Sequence, residues 1–597
     1  MSTHEARLSA LREQMKRQEL TGFIVPICDE HMSEYIGGYA QRLEWLTGFG
    51  GSAGSAVVMA EKAAIFTDGR YTIQVRDQVD GRHYDYIGTA DQSVTGWLGD
   101  HARKGDVIGY DAWLHTRSFV KAMEKALAKQ GAKAVAVDSN PIDAVWADQP
   151  QRSAAPMVVH AQEFAGKSAE EKRQDVADWL EKEGHDAVIV SALDSVAWLF
   201  NVRGDDVLHT PVALSYALVH RDGSADLFVA PEKLTDDVRA HLGNKVAVHD
   251  YAAFPSALAN LADKSVAADP ERAVAAIFQT LDDAGAKISE KRDPTVLAKA
   301  IKNAVEVAGH RAAQARDGAA LSRFLHWFSV EAPRGGQDEL SVAARLQQFR
   351  EETGALKDLS FDTISGASSN GAICHYRVSE ETNLPITMNS LYLVDSGGQY
   401  LDGTTDVTRT MAVGEPTAEM RKRFTQVLQG HIALASAVFP RGTTGGQLDA
   451  LARQYLWADG VDYAHGTGHG VGSYLGVHEG PQRIASFGGM SEPLKPGMIC
   501  SNEPGYYKTD EYGIRIENLV LVEERIIDGA EQAMLGFDTL TFAPIDRNLI
   551  DPVMLSNAQL GWLNRYHEKV MAIVGPQLEG DALEWLKAAC APLANDP

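Results

Sequence analysis

Two apolar segments around residues 391 and 407 each adjoin an aspartate that could take part in chemistry. Residues 391–394 form an apolar run that ends in Asp395, and a glycine-rich connection leads to Asp406 and a second strand-like segment. If these segments fold as a hairpin, the two carboxylates lie side by side, where they repel each other unless a cation lies between them. Two turn aspartates that cap a hairpin are an alternative that these residues alone leave open.

Two further segments carry side chains of the kind that bind metals. His465 and His469 stand in a stretch whose glycines let the backbone approach its neighbours closely. Glu503 follows a short apolar run and is itself followed by Pro504 and Gly505, which indicates a turn.

The sequence GIRIENLVLV at residues 513–522 alternates and predicts one continuous strand. Arg515 and Glu517 then share one face, while Ile514 and Ile516 share the other, because successive side chains of a strand point to opposite faces. A plain ion pair between Arg515 and Glu517 is the alternative to a functional role.

Taken together, these segments offer the ligands of a dinuclear metal site. Four carboxylates and one imidazole suit borderline-hard divalent ions such as manganese or cobalt. A set without thiolates argues against a structural zinc site. Two such ions, about 3.5 Å apart, can bridge a hydroxide, polarise a carbonyl and hold a free amine.

Two other glycine-rich motifs do not support their usual functions. Residues 50–54 (GGSAG) match the GxSxG nucleophile motif, but a strand-like segment follows where that motif needs a helix, so we predict a tight turn. Residues 466–470 (GTGHG) lack both the full GxGxxG spacing and a following Lys-Ser/Thr pair, which argues against phosphate binding.

The elements ahead of these residues alternate between helix and strand. A helix is predicted over residues 4–18, and residues 56–59 and 63–67 predict two paired strands. A second segment, from residue 168, repeats this plan, and Trp45 and Trp198 stand at comparable places in the two segments. This repetition indicates a duplicated α/β domain.

A long amphipathic helix predicted over residues 294–330 opens the region that carries the candidate ligands, and the tail from about residue 551 is again helical. We therefore predict an α/β (α+β) chain with three domains, at residues 1–150, 151–300 and 301–597. A chain of 597 residues is long enough for that number of hydrophobic cores.

Composition excludes several classes of protein. The formal net charge of −25 argues against nucleic acid or a membrane surface as a partner. The four cysteines include no CxxC pair, the N-terminus has no signal-peptide pattern, and no apolar run reaches the ~18 residues of a membrane span. We predict a cytoplasmic protein.

Several segments resemble one known family. CHYRVSEETN, LVDSGGQYLDGTTDVTRTM, HGTGHGVGSYLGVHEGP, NEPGYY and GIRIEN are similar to aminopeptidase P in its long, three-domain cytosolic form, as are AWLFNVRGDDVLHTPV and YIGGYAQRLEWLTGFGGSAG. The resemblance runs through essentially the whole chain. It implies two creatinase-like α/β domains followed by a pita-bread metallopeptidase domain with a helical tail.

The resemblance also assigns the metal ligands. Asp395 would chelate one ion, and Asp406 and Glu517 would bridge two ions. His469 and Glu503 would complete the shell of the other ion. The family's two divalent ions are expected to be manganese, with cobalt and zinc as alternatives.

The same resemblance assigns catalytic residues. Glu503 would be the general base, and Arg515 would orient a ligand carboxylate. His375, His465 and His478 would surround the substrate proline and stabilise the tetrahedral intermediate. Cys374, Cys500 and Asn502 are departures beside the site residues that leave the ligand set intact.

The implied activity is removal of an N-terminal residue from peptides whose second residue is proline, with a bridging hydroxide as the nucleophile. Prolidase, which cleaves Xaa-Pro dipeptides with the same ligands, and a non-catalytic pita-bread module that binds peptides are the alternatives. Prolidase usually has one N-terminal domain, and non-catalytic modules usually lose ligands. Family resemblance and the tail helices also predict a homodimer.

Overall fold

The structure is a computed structural model that describes residues 3–486 and 492–594. The chain divides into two compact units: the first comprises the chain up to residue 162 together with residues 167–296, and the second comprises residues 163–166 and 297–597. Among the described residues, no helix is long and apolar enough to cross a lipid bilayer.

The first unit contains two six-stranded sheets and a small two-stranded one. The strands are β1 (Gly22–Pro26), β2 (Ser55–Met59), β3 (Ala63–Thr67), β4 (Asp85–Gly88), β5 (Val107–Tyr110), β6 (Lys133–Ala136), β7 (Val158–Val159), β8 (Ala187–Val190), β9 (Val202–Arg203), β10 (Ser215–His220), β11 (Ala225–Val229), β12 (Val246–His249), β13 (Ser265–Ala268) and β14 (Lys287–Glu290). The helices along this part of the chain are α1 (Thr3–Arg17), α2 (Arg42–Thr47), α3 (Gln74–Gln78), α4 (Val94–His101), α5 (Arg117–Ala128), α6 (Gln162–Ala165), α7 (Ala169–Glu183), α8 (Leu193–Phe200), α9 (Asp236–Leu242), α10 (Phe254–Ala259) and α11 (Ala275–Ala284).

The two large sheets have the same topology. Their strand orders are β4-β3-β2-β1-β5-β6 and β12-β11-β10-β8-β13-β14. In the first sheet β3, β2 and β1 pair antiparallel, and in the second sheet β11, β10 and β8 do so. The other neighbouring strands of both sheets pair parallel. Trp45 lies in α2 and Trp198 in α8, ahead of the corresponding hairpins. The duplication predicted from the sequence is confirmed, and one apolar cluster includes buried residues of both sheets together with α5 and α11.

The second unit begins with helices and continues with short strands. Its strands are β15 (Asp358–Leu359), β16 (Ile364–Ala367), β17 (Ser390–Ser396), β18 (Gly398–Tyr400), β19 (Gly403–Thr404), β20 (Val407–Val413), β21 (Val438–Pro440), β22 (Gly468–Gly470), β23 (Glu479–Ile484), β24 (Ile499–Asn502), β25 (Gly505–Lys508), β26 (Tyr512–Arg515), β27 (Asn518–Arg525) and β28 (Met534–Thr539). The helices from residue 294 onward are α12 (Pro294–Ala300), α13 (Ala304–Glu331), α14 (Glu339–Glu351), α15 (Ala418–Ala435), α16 (Gly445–Trp457), α17 (Asn557–Val574) and α18 (Gly580–Ala589).

The strands of the second unit form a six-stranded sheet of order β21-β28-β27-β24-β22-β23 and several smaller sheets, including β16-β17-β20 and β25-β26. Buried residues of α15, α17 and α18 pack with β26 in one apolar cluster, while α13 and α14 pack with β17 and β20 in another. This helical packing holds the site strands in place.

Two predicted elements of this unit are interrupted. The helix predicted over residues 294–330 is two helices, because Asn303 caps α13 by accepting from the backbone N–H groups of Val305 and Glu306. The prediction of one continuous strand over residues 513–522 is wrong, because β26 ends at Arg515 and β27 begins at Asn518 in a different sheet.

Candidate metal centre

The strands β17 and β20 place the two aspartates. They pair antiparallel, with Asp395 opposite Thr408, and Asp406 stands directly before β20. The pairing agrees with the predicted hairpin, although β18 and β19 lie between the two strands along the chain. Both carboxylates are buried, with 7% of Asp395 and 3% of Asp406 exposed, so their charges need compensation from within the protein.

Close approach of β22 and β24 places His469 and Glu503. A Cβ atom at Gly468 would overlap the carbonyl oxygen of Ser501, so only glycine fits there. The Ser501 hydroxyl accepts from the backbone N–H of His469 at 2.9 Å and donates to Glu503 Oε1 at 3.1 Å. The backbone N–H of Glu503 donates to the Thr467 carbonyl at 2.8 Å, which fixes the turn that follows β24.

The interruption between β26 and β27 places Glu517. Its backbone N–H donates to the Thr408 carbonyl at 3.2 Å, and the Thr408 hydroxyl donates to Glu517 Oε2 at 2.8 Å. The buried guanidinium of Arg409 donates to the Glu517 carbonyl at 2.7 Å and to Asn518 Oδ1 at 2.8 Å. The backbone around Glu517 therefore bonds to β20 instead of continuing as a strand.

These elements bring most of the predicted ligands together. Ligand atoms of Asp406, His469 and Glu517 all lie within 4.8 Å of one another. His469 Nε2 lies 3.4 Å from Asp406 Oδ2 and 3.5 Å from Glu503 Oε1. Asp395 faces Arg515, whose Nη2 lies 2.6 Å from Asp395 Oδ2.

The carboxyl groups of this centre lie close together and are shielded from solvent, which disfavours their charged forms. Burial and the nearby Asp395 carboxylate raise the pKa of Asp406 to about 6, despite its hydrogen bond with His469. Burial raises the pKa of Glu503, and burial with the neighbouring carboxylates raises the pKa of Glu517 well above its ordinary value. The hydrogen bond with Asp406 and the nearby Glu503 raise the pKa of His469 to about 9, although burial opposes this rise.

The donor set fits divalent cations. Asp395 Oδ1 is buried and has no hydrogen-bond donor among the described residues, which leaves a carboxylate oxygen for another partner. His469 Nδ1 lies 2.8 Å from the Gly470 carbonyl, so it carries the proton and Nε2 is the ligand atom. Carboxylate oxygens and one imidazole nitrogen are ligands that manganese, cobalt and zinc accept.

A chain of hydrogen bonds connects one predicted histidine to this centre. Arg515 Nη1 donates to the Tyr507 hydroxyl at 2.6 Å, and that hydroxyl lies 2.8 Å from His465 Nε2. Because His465 Nδ1 lies 2.7 Å from the Gly466 carbonyl, Nδ1 carries the proton and Nε2 accepts from Tyr507. Arg515 forms its ion pair with Asp395, so the ion pair with Glu517 that the sequence left open is not the one formed.

Of the other two predicted histidines, His478 contacts a predicted ligand directly, and His375 follows a residue that lies near Arg515. The ring of His478 meets that of His469 edge to face, with centroids 4.3 Å apart. His375 is half-buried in a loop, and the thiol of the adjacent Cys374 lies 3.9 Å from Arg515 Nη1.

The remaining departures point away from the ligands. Asn502 Nδ2 donates to the backbone carbonyl of His431 on α15 at 2.9 Å, so this side chain faces the helix. Burial raises the pKa of Cys500 to about 12 and keeps the thiol neutral.

Sequence reasoning missed Tyr507, Thr408 and Ser501, which orient Arg515, Glu517 and Glu503. Tyr507 and Thr408 stand within segments that resemble the family, and Ser501 stands two residues before Glu503. Proximity to the ligands is therefore the signal that could have identified them.

Comparison with known proteins adds an independent line of evidence. Residues 308–524 match the model of metallopeptidase family M24, and residues 533–593 match the model of its C-terminal region. Residues 7–145 and 148–306 each match a model of the creatinase/prolidase N-terminal domain. The probable Xaa-Pro aminopeptidase P of Paracoccidioides brasiliensis is 42% identical, over 98% of this chain and 99% of its own.

The chain belongs to the aminopeptidase P family of M24 metallopeptidases. The crystal structure of X-prolyl aminopeptidase from Caenorhabditis elegans, described as a cytosolic enzyme with a di-nuclear active site, has a TM-score of 0.95 and 34% identity over 99% of this chain and 100% of its own. Xaa-Pro dipeptidase from Bacillus anthracis, at 22% identity and a TM-score of 0.51, covers 64% of this chain and 99% of its own and shares the fold. The predicted fold class of aminopeptidase P, two creatinase-like domains and a pita-bread catalytic domain, is confirmed.

Proposed function

We propose that this chain is a metal-dependent Xaa-Pro aminopeptidase, which hydrolyses the bond between an N-terminal residue and a following proline. The observation that carries the proposal is the grouping of Asp406, His469 and Glu517 ligand atoms within 4.8 Å, in a chain that is similar along its whole length to aminopeptidases of this type. Peptides with proline in second position are the proposed substrates.

We propose that two divalent ions are held by a set of five side chains: Asp395, Asp406, His469, Glu503 and Glu517. When bound, such ions polarise the scissile carbonyl and lower the pKa of a water. Asp395 offers the buried oxygen to which none of the described residues donates, and Arg515 orients the carboxylate through its other oxygen. We propose manganese, because the set is rich in carboxylates, with cobalt and zinc as alternatives.

Glu503 is the proposed general base. It can take a proton from the attacking water and give it to the leaving proline nitrogen, while the Ser501 hydroxyl holds Oε1 in place at 3.1 Å.

The histidines are the proposed contacts to the substrate. His465 is held by Tyr507, and His478 by its edge-to-face contact with His469. Together with His375, they would surround the proline and stabilise the charge that develops on the carbonyl oxygen. A proline ring lacks the N–H and fixes φ, so a site that relies on shape and not on that N–H can select it.

Three peptides that share their first residue test this proposal. The manganese-loaded protein should release the first residue from Xaa-Pro-Yaa and leave Xaa-Ala-Yaa nearly untouched. Equal rates on these two tripeptides would refute the proline assignment. Faster hydrolysis of the dipeptide Xaa-Pro than of Xaa-Pro-Yaa would indicate a prolidase, and peptide binding without cleavage of any of the three would indicate the non-catalytic module.

We further propose a cytoplasmic homodimer with domain boundaries near residues 150 and 300. The creatinase/prolidase domain matches support the boundaries, the tail helices α17 and α18 support the dimer, and the similar enzyme described as cytosolic supports the compartment. The chain mass is 64.7 kDa, so light scattering at micromolar concentration should give twice that mass. A species of the chain mass alone would rule out the dimer.

A further inference from the structure

The loop that carries His375 has little structure of its own. Residues 373–389 contain no helix or strand, and many of them, including Arg377, are exposed. A histidine that must meet a substrate needs a fixed backbone, because small displacements from the productive geometry are costly. The contacts that fix this loop must therefore come from elsewhere in the unit.

One buried carboxylate forms hydrogen bonds with the loop and with the segment before it. Glu339, the first residue of α14, is 0% exposed. Its Oε1 accepts from the backbone N–H of Ala367 at 2.7 Å and from Asn370 Nδ2 at 3.1 Å. Its Oε2 accepts from the Tyr376 hydroxyl at 2.9 Å and from the backbone N–H of Leu384 at 2.8 Å. The carboxylate thus joins the segment just before the loop to two points within it, Tyr376, which is next to His375, and Leu384.

Backbone contacts reinforce this attachment. The N–H of Glu339 donates to the Leu384 carbonyl at 3.1 Å, and the N–H of Ile386 donates to the Gln337 carbonyl at 2.9 Å. Burial raises the pKa of the Glu339 carboxyl, and the hydrogen bonds that it accepts oppose that rise. A carboxylate is the one side chain of this shape that can accept from all of these donors, since an amide replaces one oxygen by a donor group.

The loop that Glu339 holds packs against residues next to the proposed metal centre. The ring of Tyr376 is buried in a small apolar cluster with Leu393 of β17, and Tyr507 packs against the same cluster. The thiol of Cys374 lies 3.9 Å from Arg515 Nη1. His375 stands between Cys374 and Tyr376 in the chain, so whatever fixes these two neighbours also fixes His375.

We propose that Glu339 is a positioning residue, whose carboxylate holds the 367–384 segment closed and thereby sets the place of His375 relative to the metal centre. This inference rests on the proposed function, in which His375 contacts the substrate. Glu339 itself lies outside the ligand set and acts through the loop.

The Glu339→Gln variant tests the inference. An amide has the same shape but presents N–H to some of the loop donors, so the loop should open. We expect kcat/KM for Xaa-Pro-Yaa to fall roughly 10- to 100-fold with unchanged metal content, and trypsin to cleave faster after Arg377. The matched control is Glu351→Gln at the exposed far end of α14, which should behave as the parent.

A double-mutant cycle with His375→Ala separates positioning from a general loss of structure. If Glu339 acts through His375, the Glu339→Gln change should lower the activity of His375→Ala far less than it lowers that of the parent. Equal losses in both backgrounds would overturn the inference. If Glu339→Gln fails to fold, Tyr376→Phe, which removes a single donor, takes its place in the same cycle.

The two proposals fail in different ways. A parent protein that does not cleave Xaa-Pro-Yaa would refute the proposed function, whereas the trypsin comparison would still show whether Glu339 holds the loop. A parent that cleaves this peptide, with a Glu339→Gln variant of equal activity and equal trypsin resistance, would refute only the positioning role.

Discussion

Removal of metal should destabilise the second unit in a way that depends on pH. Without a cation, the pKa of Asp406 is about 6, against an ordinary value of 3.8. The folded carboxyl therefore binds a proton that the unfolded chain releases between these two values, and the stability of the metal-free protein falls as pH rises through that range. The difference of about 2 pK units corresponds to about 3 kcal/mol of lost unfolding free energy by pH 7.

His469 acts in the same direction at higher pH. Its pKa of about 9 in the metal-free fold lies above its ordinary 6.5, so its stabilising effect is complete below pH 6.5 and is lost as pH rises through 9. Because Asp406 and His469 share a hydrogen bond, their contributions to the pH-dependent unfolding free energy are not independent. We therefore take about 3 kcal/mol for the pair. Bound cations compensate the deprotonated ligands, so the stabilising effect of metal should increase over the same range.

Thermal unfolding with and without a chelator, at pH 4.5 and pH 8, measures this effect. The difference in melting temperature between the metal-loaded and the chelated protein should be roughly 5–10 °C larger at pH 8 than at pH 4.5. The matched control is Asp406→Asn, which cannot ionise and should show a weaker pH dependence when chelated. A gap that is equal at both pH values would refute the reasoning, and so would a chelated Asp406→Asn variant whose melting temperature changes with pH as much as that of the chelated parent.

Four substitutions test individual roles. Glu503→Ala should lose metal content and rate together. His478→Ala should keep both ions and lose roughly 10²-fold in kcat. Metal loss in His478→Ala, with activity restored by excess manganese, would show that His478 is a ligand. Tyr507→Phe removes the hydroxyl between Arg515 and His465, so kcat should fall roughly 10-fold with unchanged metal content, and an unchanged kcat would exclude a role for that hydroxyl. Arg409→Met leaves several buried carbonyl oxygens without donors, so urea unfolding should show a loss of at least about 3 kcal/mol, and a loss within error would contradict its proposed role in holding Glu517.

Sequence patterns predicted the elements whose periodicity is strong. The hairpin that carries Asp395 and Asp406, the paired strands at residues 55–67 and the duplicated sheets follow from apolar runs bounded by turns. The turn at residues 50–54 also agrees with the structure, in which β2 follows directly.

The interruptions could not be predicted from periodicity. Residues 513–522 alternate as one strand would, but tertiary hydrogen bonds from Glu517 to Thr408 and from Arg409 to Glu517 break it at the ligand. Similarly, the capping of α13 by Asn303 divides an amphipathic pattern that continues on both sides. Propensity is local, whereas these breaks depend on partners more than a hundred residues away or on a single capping side chain.

The candidate ligands of the site could be identified from the sequence, whereas the residues that support them could not. Residue types and the family resemblance identified the candidate ligands, and the structure brings Asp406, His469 and Glu517 together. Supporting residues such as Tyr507 and Glu339 were not predicted, because their importance comes from hydrogen bonds with residues distant in sequence, His465 for Tyr507 and Leu384 for Glu339.

The most direct test of the central claim is the metal content of the active protein. After reconstitution with manganese and removal of unbound ions, elemental analysis should give two ions per chain, and cleavage of Xaa-Pro-Yaa should require both. The Asp406→Asn variant, which weakens a ligand proposed to bridge the two ions, should lose metal and activity together. Full activity in protein that holds one ion per chain or fewer would contradict the account.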